Sequence, residues 1–277
     1  MSGFTSFASG SGANQNLDNT YERLGQGAVG VGSACTAGAG SKGTGASIGT
    51  TSSAWSGFWI YVQAASTSNN RYLVDISNDN GSTWFVSNLY IEPNGSAPVF
   101  AIFVPLNVAA ASVMTFRAQG NGAGTVRVWL MGVVTNSQSP PMFSSMTALN
   151  VDTTNTRPGQ SDLTMVASGS TTFSEIEDST VATYGALMAV VGGPTTGAVT
   201  TSQATLLNIG TGAAASETII GALSVYSNSG SAASFRSQAP LLLYKTIASG
   251  SRLSVQMLST TQGANDLYQC GLYGFAV

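Results

Sequence analysis

The densest group of side chains that could do chemistry is a short acidic cluster in the second half of the chain. Glu175 and Glu177 are separated by one residue, and Asp178 follows directly. In an extended segment the two glutamates share one face, and carboxylate oxygens suit a hard cation such as calcium. A solvated loop is the favoured interpretation, because one short segment cannot aim two carboxylates across a cleft as glycoside cleavage requires. We therefore expect neither a metal nor another cofactor.

Two further motifs are weaker than they first look. Residues 75–81 follow the pattern of a calcium loop, but Gly81 comes one place late and Val86 stands where a bidentate glutamate is needed. A hairpin turn is the favoured interpretation. Residues 38–43 match the spacing GxGxxG, yet no strand precedes them and no acidic residue follows about twenty positions on. In so glycine-rich a segment this match is expected by chance.

The residues on which most hydrolytic chemistry depends are scarce. The chain contains no histidine, which removes the commonest general base, the commonest metal ligand and every Ser-His or Cys-His nucleophile. Cys35 and Cys270 lie far apart without CxxC spacing, and we expect buried free thiols, with a bridge between them as the alternative. The sequence therefore predicts a protein that is not an enzyme.

Aromatic residues are concentrated in the first half, which contains all four tryptophans. Trp59 and Tyr61 have the same parity on a predicted strand, while Phe58 and Ile60 take the other face. Aromatic residues on strands usually belong to the core. One of these two faces must nevertheless turn aromatic rings toward solvent or a partner, so Trp59 and Tyr61 are a candidate platform for stacking on a glycan.

The elements that carry these residues are predicted to be strands throughout. Period-two alternation, turn signals such as Asn80-Gly81 and the lack of any long helical periodicity predict an all-β fold of antiparallel sandwich or jelly-roll type. Residues 28–51 are dominated by Gly, Ala and Ser, which predicts long loops. The predicted strands cover residues 57–64, 72–77, 83–91, 99–106, 112–118, 125–134, 162–167, 186–191, 204–209, 218–225, 240–247, 252–258 and 268–277.

The second half repeats the apolar pattern of the first. Leu130 and Leu272 lie 142 positions apart, as do Val99 and Leu241. Further upstream, residues 74–76 fall on 207–209, 84–91 on 218–225 and 58–63 on 186–191. This order predicts two tandem sandwich domains that arose by duplication. The expected boundaries are an arm over residues 1–19, a first domain over 20–135, a linker over 136–146 and a second domain over 147–277.

Composition points to a folded protein with a neutral surface. Charged residues make up 8% of the chain against about 25% in ordinary soluble domains, whereas 43% are hydrophobic. A surface so poor in charge is best explained by contact with other copies, so we expect a homo-oligomer, with a trimer as the predicted state. A net charge of −3 without a basic cluster argues against nucleic acid as a partner. We expect no membrane span and no secretory signal.

In composition and architecture the chain resembles virion structural proteins of tailed bacteriophages. The tandem β pattern, the neutral Gly/Ser/Thr/Ala surface, the missing histidine and the N-terminal arm carry the resemblance. It implies a non-enzymatic capsid decoration or other accessory component of the virion, made in the host cytoplasm and bound to other virion proteins. A glycan-binding fibre module and a tandem jelly-roll major capsid protein are the alternatives. Within the arm, Phe4 and Phe7 are the expected anchors to a partner.

Overall fold

The fold is described from a computed structural model. The described residues form strands joined by turns, which confirms the predicted all-β class. No helix among them is long and apolar enough to cross a membrane. The structure describes residues 21–25, 32–64, 72–91, 99–120, 124–135, 143–149, 162–164, 166–167, 172–194, 203–227, 241–259 and 267–277.

The described strands fall into two groups along the chain. The first group is β1 (Tyr21–Leu24), β2 (Ser33–Ala39), β3 (Ala46–Thr50), β4 (Trp55–Ala64), β5 (Tyr72–Ser77), β6 (Val86–Ile91), β7 (Val99–Val104), β8 (Val113–Gly120) and β9 (Gly124–Val134). The second group is β10 (Ser145–Ala148), β11 (Asp162–Thr164), β12 (Val166–Ala167), β13 (Ser174–Glu177), β14 (Ala186–Pro194), β15 (Gln203–Thr211), β16 (Thr218–Ser227), β17 (Leu241–Leu243), β18 (Leu253–Ser259) and β19 (Leu267–Ala276).

The first group builds a sandwich around β9. One layer contains β9 between β4 and the successive strands β1 and β2, with β7 beyond β4. The other layer contains β3, β8, β5 and β6 in that order. Strand β2 leaves β9 and continues beside β8, so it links the two layers.

The second group also forms two layers, one of them around β19. One layer contains β19 between β14 and the strands β10 and β11, with β17 beyond β14. The other layer contains β13, β18, β15 and β16. Strand β10 also pairs with β6, and this contact joins the layer around β19 to the first group in one curled mixed sheet. Strands β12, β13, β15, β16 and β18 form a second, separate sheet.

Three strand pairs correct the prediction of a wholly antiparallel fold. The pairs β2–β8, β12–β18 and β10–β6 are parallel. In the first, β2 crosses from one layer to the other without reversing, so it runs antiparallel to β9 and parallel to β8. In the third, two strands from different halves meet at a sheet edge. None of these contacts involves a hairpin, which is the arrangement that sequence turn signals reveal.

The strand alternation that the sequence predicts is visible in the burial pattern. On β9, Val126, Val128 and Leu130 are fully buried, whereas the intervening residues are partly exposed. Strand β14 differs, because both of its faces are buried. Leu187, Ala189 and Val191 belong to the core of the second half, while Met188 and Val190 join the core of the first.

Several strands lie where loops were predicted. Residues 28–51 contain β2 and β3, although Gly and Ala dominate the segment. Strand β13 carries Glu175 and Glu177, and β10 begins at Ser145, inside the range predicted as linker. These strands are short and sit beside longer partners, so neighbouring ladders form them despite weak intrinsic propensity.

A buried tryptophan fixes the entry to the first sandwich. The indole of Trp55 lies over Gly132, where an added Cβ would stand 2.0 Å from Trp55 Cδ2. The indole N–H donates to Glu22 Oε2 at 2.8 Å, and the amides of Ser52 and Ser53 also donate to this carboxylate. Burial opposes ionisation of Glu22, but these hydrogen bonds outweigh it and lower the pKa of the carboxyl group.

We expect Gly132→Ala to destabilise the protein by about 1 to 3 kcal/mol or more, because the methyl group would overlap the Trp55 ring. Gly274→Ala should act alike, since its Cβ would stand 2.6 Å from the Tyr184 ring. Gly124→Ala is the control, with Tyr72 Oη at 3.4 Å as the nearest atom to an added Cβ. Thermal melting measures the difference. Equal melting temperatures for Gly132→Ala and Gly124→Ala would contradict the packing described.

Candidate functional site

The outer face of the layer around β4 and β9 carries four aromatic side chains. Trp59 and Tyr61 lie on β4, Phe103 on β7 and Trp129 on β9, and all four are half-buried. Their strand neighbours Phe58 and Ile60 point into the core and are fully buried. We call these four residues the aromatic face. It contains both residues that the sequence singles out as a glycan platform.

The rings of the aromatic face form two pairs across neighbouring strands. Tyr61 and Trp129 occupy opposing positions on β4 and β9, and their rings are stacked with centroids 5.1 Å apart and an interplanar angle of 3°. Trp59 and Phe103 face each other on β4 and β7, with centroids 5.3 Å apart. Burial raises the pKa of Tyr61, and nearby Arg23 opposes that shift. Such a surface suits flat, weakly polar partners, either a sugar ring or a protein face.

A second candidate site is a buried ion cluster on the outer side of β5. Asp75 Oδ1 accepts from Lys42 Nζ at 2.7 Å and from the Asn88 amide at 2.7 Å, while Oδ2 accepts from Arg117 Nε at 2.8 Å. The Asp75 side chain is 2% exposed and that of Lys42 15%. Burial lowers the pKa of Lys42, and the Asp75 charge opposes this. The guanidinium of Arg117 in turn lies 4.1 Å from the centroid of the Trp84 ring.

The acidic cluster of the second half does not converge on a cation. Glu175 Oε2 accepts from Arg252 Nε at 2.7 Å, and Glu217 accepts from the same guanidinium at 2.8 Å. A β-bulge separates Glu175 from Glu177, so the regular alternation that would align them is broken. The carboxylate pair that forms is therefore Glu175 with Glu217, bridged by Arg252. Among the described residues no group of three His, Cys, Asp or Glu side chains could hold a metal.

The segment compared with a calcium loop is a turn closed by its own side chains. Asp79 Oδ1 accepts from the Ser77 hydroxyl at 2.6 Å and from the Thr83 amide at 2.8 Å, while Oδ2 accepts from the Thr83 hydroxyl at 2.7 Å. These hydrogen bonds lower the pKa of Asp79 to about 2. Asn80 and Gly81 adopt positive φ, as the turn prediction requires.

The remaining sequence candidates do not contribute to either site. Cys35 and Cys270 are both buried free thiols, located in the first and second cores respectively. Phe4 and Phe7 lie outside the described residues.

The sequence did not reveal the partners of Trp59 and Tyr61 in the aromatic face, nor the partners of Asp75 in the ion cluster. Phe103 and Trp129 complete the aromatic face, but only the register of β4 with β7 and β9 reveals this. Lys42 and Arg117 are 33 and 42 positions from Asp75 along the chain. The available signal was the charge of Asp75 within the apolar segment Tyr72–Ser77, since a buried charge needs partners.

No protein-family model matches the sequence, and no curated protein does. Three solved structures are similar only at a low level. A peptide-N(4)-(N-acetyl-beta-D-glucosaminyl) asparagine amidase is 8% identical with a TM-score of 0.40, covering 93% of this chain and 96% of that one. The ANXUR2 extracellular domain from Arabidopsis thaliana is 8% identical with a TM-score of 0.27, covering 95% and 90%. The CBM22-1-CBM22-2 tandem domain of Paenibacillus barcinonensis Xyn10C is 11% identical with a TM-score of 0.24, covering 94% and 92%. Likenesses this weak bear on neither activity nor ligand.

We expect Asp75→Asn to cost about 3 to 5 kcal/mol of folding free energy, because it leaves the Lys42 ammonium buried without a counter-ion. Adding Lys42→Met should restore much of this loss, since the double variant also removes the buried ammonium and leaves only Arg117, whose side chain is 31% exposed. Asp178→Asn, at an exposed position, is the matched control. Urea unfolding followed by tryptophan fluorescence measures all three variants. A loss for Asp75→Asn no larger than that of the control would show that the cluster is solvated.

Burial raises the pKa of Cys35 to about 11 and that of Cys270 to about 12, so neither thiol ionises near neutral pH. We expect an aromatic disulfide reagent at pH 8 to label neither cysteine in the native protein and both in denaturant without reductant. If the reagent labels no cysteine in the denatured, unreduced protein, Cys35 and Cys270 are joined by a disulfide bridge.

Proposed function

We propose that this chain is a non-enzymatic structural protein that works through protein–protein contacts, as an accessory virion component such as a capsid decoration protein. The observation that carries the proposal is the aromatic face, a surface of four half-buried rings on a chain with very few charges. Monomeric proteins seldom leave such a patch uncovered, and buried aromatic rings are what stable interfaces use as anchors.

The titratable groups of the described residues fit a structural role. Asp75 is enclosed by three donors, Glu175 is paired with Arg252, and Asp79 holds its own turn. These three carboxylates are committed to folding, whereas catalytic acids and bases are paired across a cleft. This supports a protein without its own chemistry.

The strand ladders support a further part of the proposal, an internal duplication into two sandwiches of jelly-roll type. Ile60 pairs with Leu130 and Ile102 in the first group, and Ala189 pairs with Leu272 and Leu241 in the second. The bulge between Ser47 and Gly49 on β3 has a counterpart between Glu175 and Glu177 on β13. The pairing of Leu130 with Ile60 and of Leu272 with Ala189 supports the proposed equivalence of Leu130 and Leu272.

Side-chain hydrogen bonds repeat along with the ladders. The Thr51 hydroxyl donates to the Ala109 carbonyl at 2.8 Å and accepts from the Ser112 amide at 3.0 Å. In the second half, the Thr180 hydroxyl donates to the Ala248 carbonyl at 2.8 Å and accepts from the Ser251 amide at 3.0 Å. Two unrelated sandwiches have no reason to share a threonine that closes the same connection.

Matching by ladders corrects two alignments made from sequence. Ile102 corresponds to Leu241, so the alignment of Val99 with Leu241 is three residues out of register. Phe58 corresponds to Leu187 rather than Ala186. Both errors come from apolar runs in which a small shift leaves the hydrophobic pattern unchanged.

The stacked Tyr61–Trp129 pair favours one second candidate, a module that binds a host-surface glycan. The half-buried, parallel rings of this stack leave apolar aromatic surface on which a sugar ring can pack. This function and the structural one use the same residues, so one pair of binding assays separates them.

We expect the purified protein to co-sediment with phage particles that lack it, and Trp59→Ser with Tyr61→Ser to abolish this binding by removing the anchors. Tyr244→Ser is the control, because Tyr244 is 63% exposed and lies outside the aromatic face. A parallel glycan array tests the alternative. The decoration role would be wrong if the unmodified protein bound a glycan but no particles, and if the double variant lost the glycan binding. A receptor-binding role would then take its place.

A further inference from the structure

The two halves of the chain contact each other through different faces of the repeated sandwich. Leu73 and Tyr90, on the outer side of β5 and β6, are at most 1% exposed. They share a cluster with Met188 and Tyr273 from the outer side of β14 and β19. The Tyr273 hydroxyl accepts from the Tyr90 amide at 2.7 Å and donates to the Asn88 carbonyl at 2.9 Å. Each half therefore contributes one outer face to the contact.

Each half also has the opposite outer face. Described residues of these two faces are partly exposed, whereas Asn208 and Gln256 on β15 and β18 are buried, at 3% and 5% exposure. In the strand pairing of the first half, Trp59 corresponds to Met188 and Tyr61 corresponds to Val190. Both of these residues of the aromatic face are half-buried. In the second half, the position of Leu73 is taken by Leu206, which is 38% exposed.

The sheet edges follow the same pattern. Within the chain, β10 pairs with the edge of β6 through Met146 and Val86, and the Met146 amide donates to the Phe85 carbonyl. Strand β1 occupies the place of β10 in the first half and pairs only with β9 among the described strands. Strand β16 occupies the place of β6 and pairs only with β15. Among the described strands, each of these faces thus lies beside an edge strand with a single sheet neighbour.

We infer that the partner of the aromatic face is a second copy of this chain, docked head to tail. The outer side of β15 and β16 of one copy covers the aromatic face of the next, and β1 pairs with the β16 edge. This contact repeats between chains the packing that already joins the two halves within one chain. The inference rests on the proposed assembly role and identifies its partner.

Two features favour a second copy over an unrelated partner. The surface to be covered corresponds, position by position, to one that this fold already covers. The two surfaces are complementary in kind, since one presents large rings and the other the small exposed side chains Ala222 and Ser224. A head-to-tail contact leaves a free face at each end of a dimer, so it closes into a ring or continues as a filament.

Two single variants test the arrangement. Tyr61→Lys places a charge in the aromatic face, and Ser224→Lys places one at the position that corresponds to Tyr90. Each should weaken self-association about thirtyfold or more in sedimentation velocity, because an unpaired charge must then be buried. Val181→Lys, at an exposed site on neither face, is the control and should associate like the unmodified protein.

Mixing the two variants decides the geometry. Tyr61→Lys retains an intact second-half face and Ser224→Lys retains an intact aromatic face, so a 1:1 mixture should form heterodimers and nothing larger. If two aromatic faces instead contacted each other, Ser224→Lys alone would remain dimeric and the mixture would give no heterodimer. That result would overturn the head-to-tail inference.

The proposed function is tested separately from the self-contact. An unmodified protein that stays monomeric at about 100 μM, well above the affinity range of specific interfaces, yet binds particles would refute the self-contact and leave the decoration role intact. Near-ultraviolet circular dichroism checks that each variant is folded. Ala101→Lys, whose position on β7 opposes Tyr61, replaces Tyr61→Lys if that variant does not fold.

Discussion

Burial of β19 on both faces is the constraint on which the arrangement of the two halves depends. Leu272 points into the second core and Tyr273, the next residue, points into the first. A strand with two apolar faces cannot lie on the surface of an isolated domain, because one face would remain in water. The second half therefore does not end at its own core. It needs the first half to cover Tyr273, Met188 and Val190.

The ion cluster lies beside this shared contact, and its burial makes the free energy of folding sensitive to the geometry there. Asp75 and Lys42 are taken out of water near the junction of the halves, which costs several kcal/mol per ion unless the pairing is good. Three short hydrogen bonds to Asp75 meet that condition. Such a cluster adds little net stability but penalises any shift of β5 or β6 that would break it, so it fixes geometry more than it strengthens the fold.

How far the sequence could predict this molecule follows from the range of each interaction. The alternation of Val126, Val128 and Leu130 is local, and it correctly predicts β9 and the all-β class. Strand β2 is rich in Ala and Gly and forms because β9 and β8 hold it, so no local signal announces it. The salt bridge of Glu175 spans 77 positions to Arg252. Long-range pairs of this kind depend on the register of whole ladders, which composition and parity do not encode.

The two halves differ most where their surroundings differ. Asp75 and Arg117 oppose each other on β5 and β8, whereas Asn208 and Gln256 oppose each other on β15 and β18 and share a hydrogen bond of 3.1 Å. A neutral amide pair tolerates both solvent and burial, because its desolvation cost is far below that of an ion. A charged cluster is stable only where a fixed cover holds its partners in place. The first half has that cover within its own chain. In the second half the amide pair is also buried, with Asn208 3% and Gln256 5% exposed, and a neutral pair meets that burial at far lower cost than an ion cluster would.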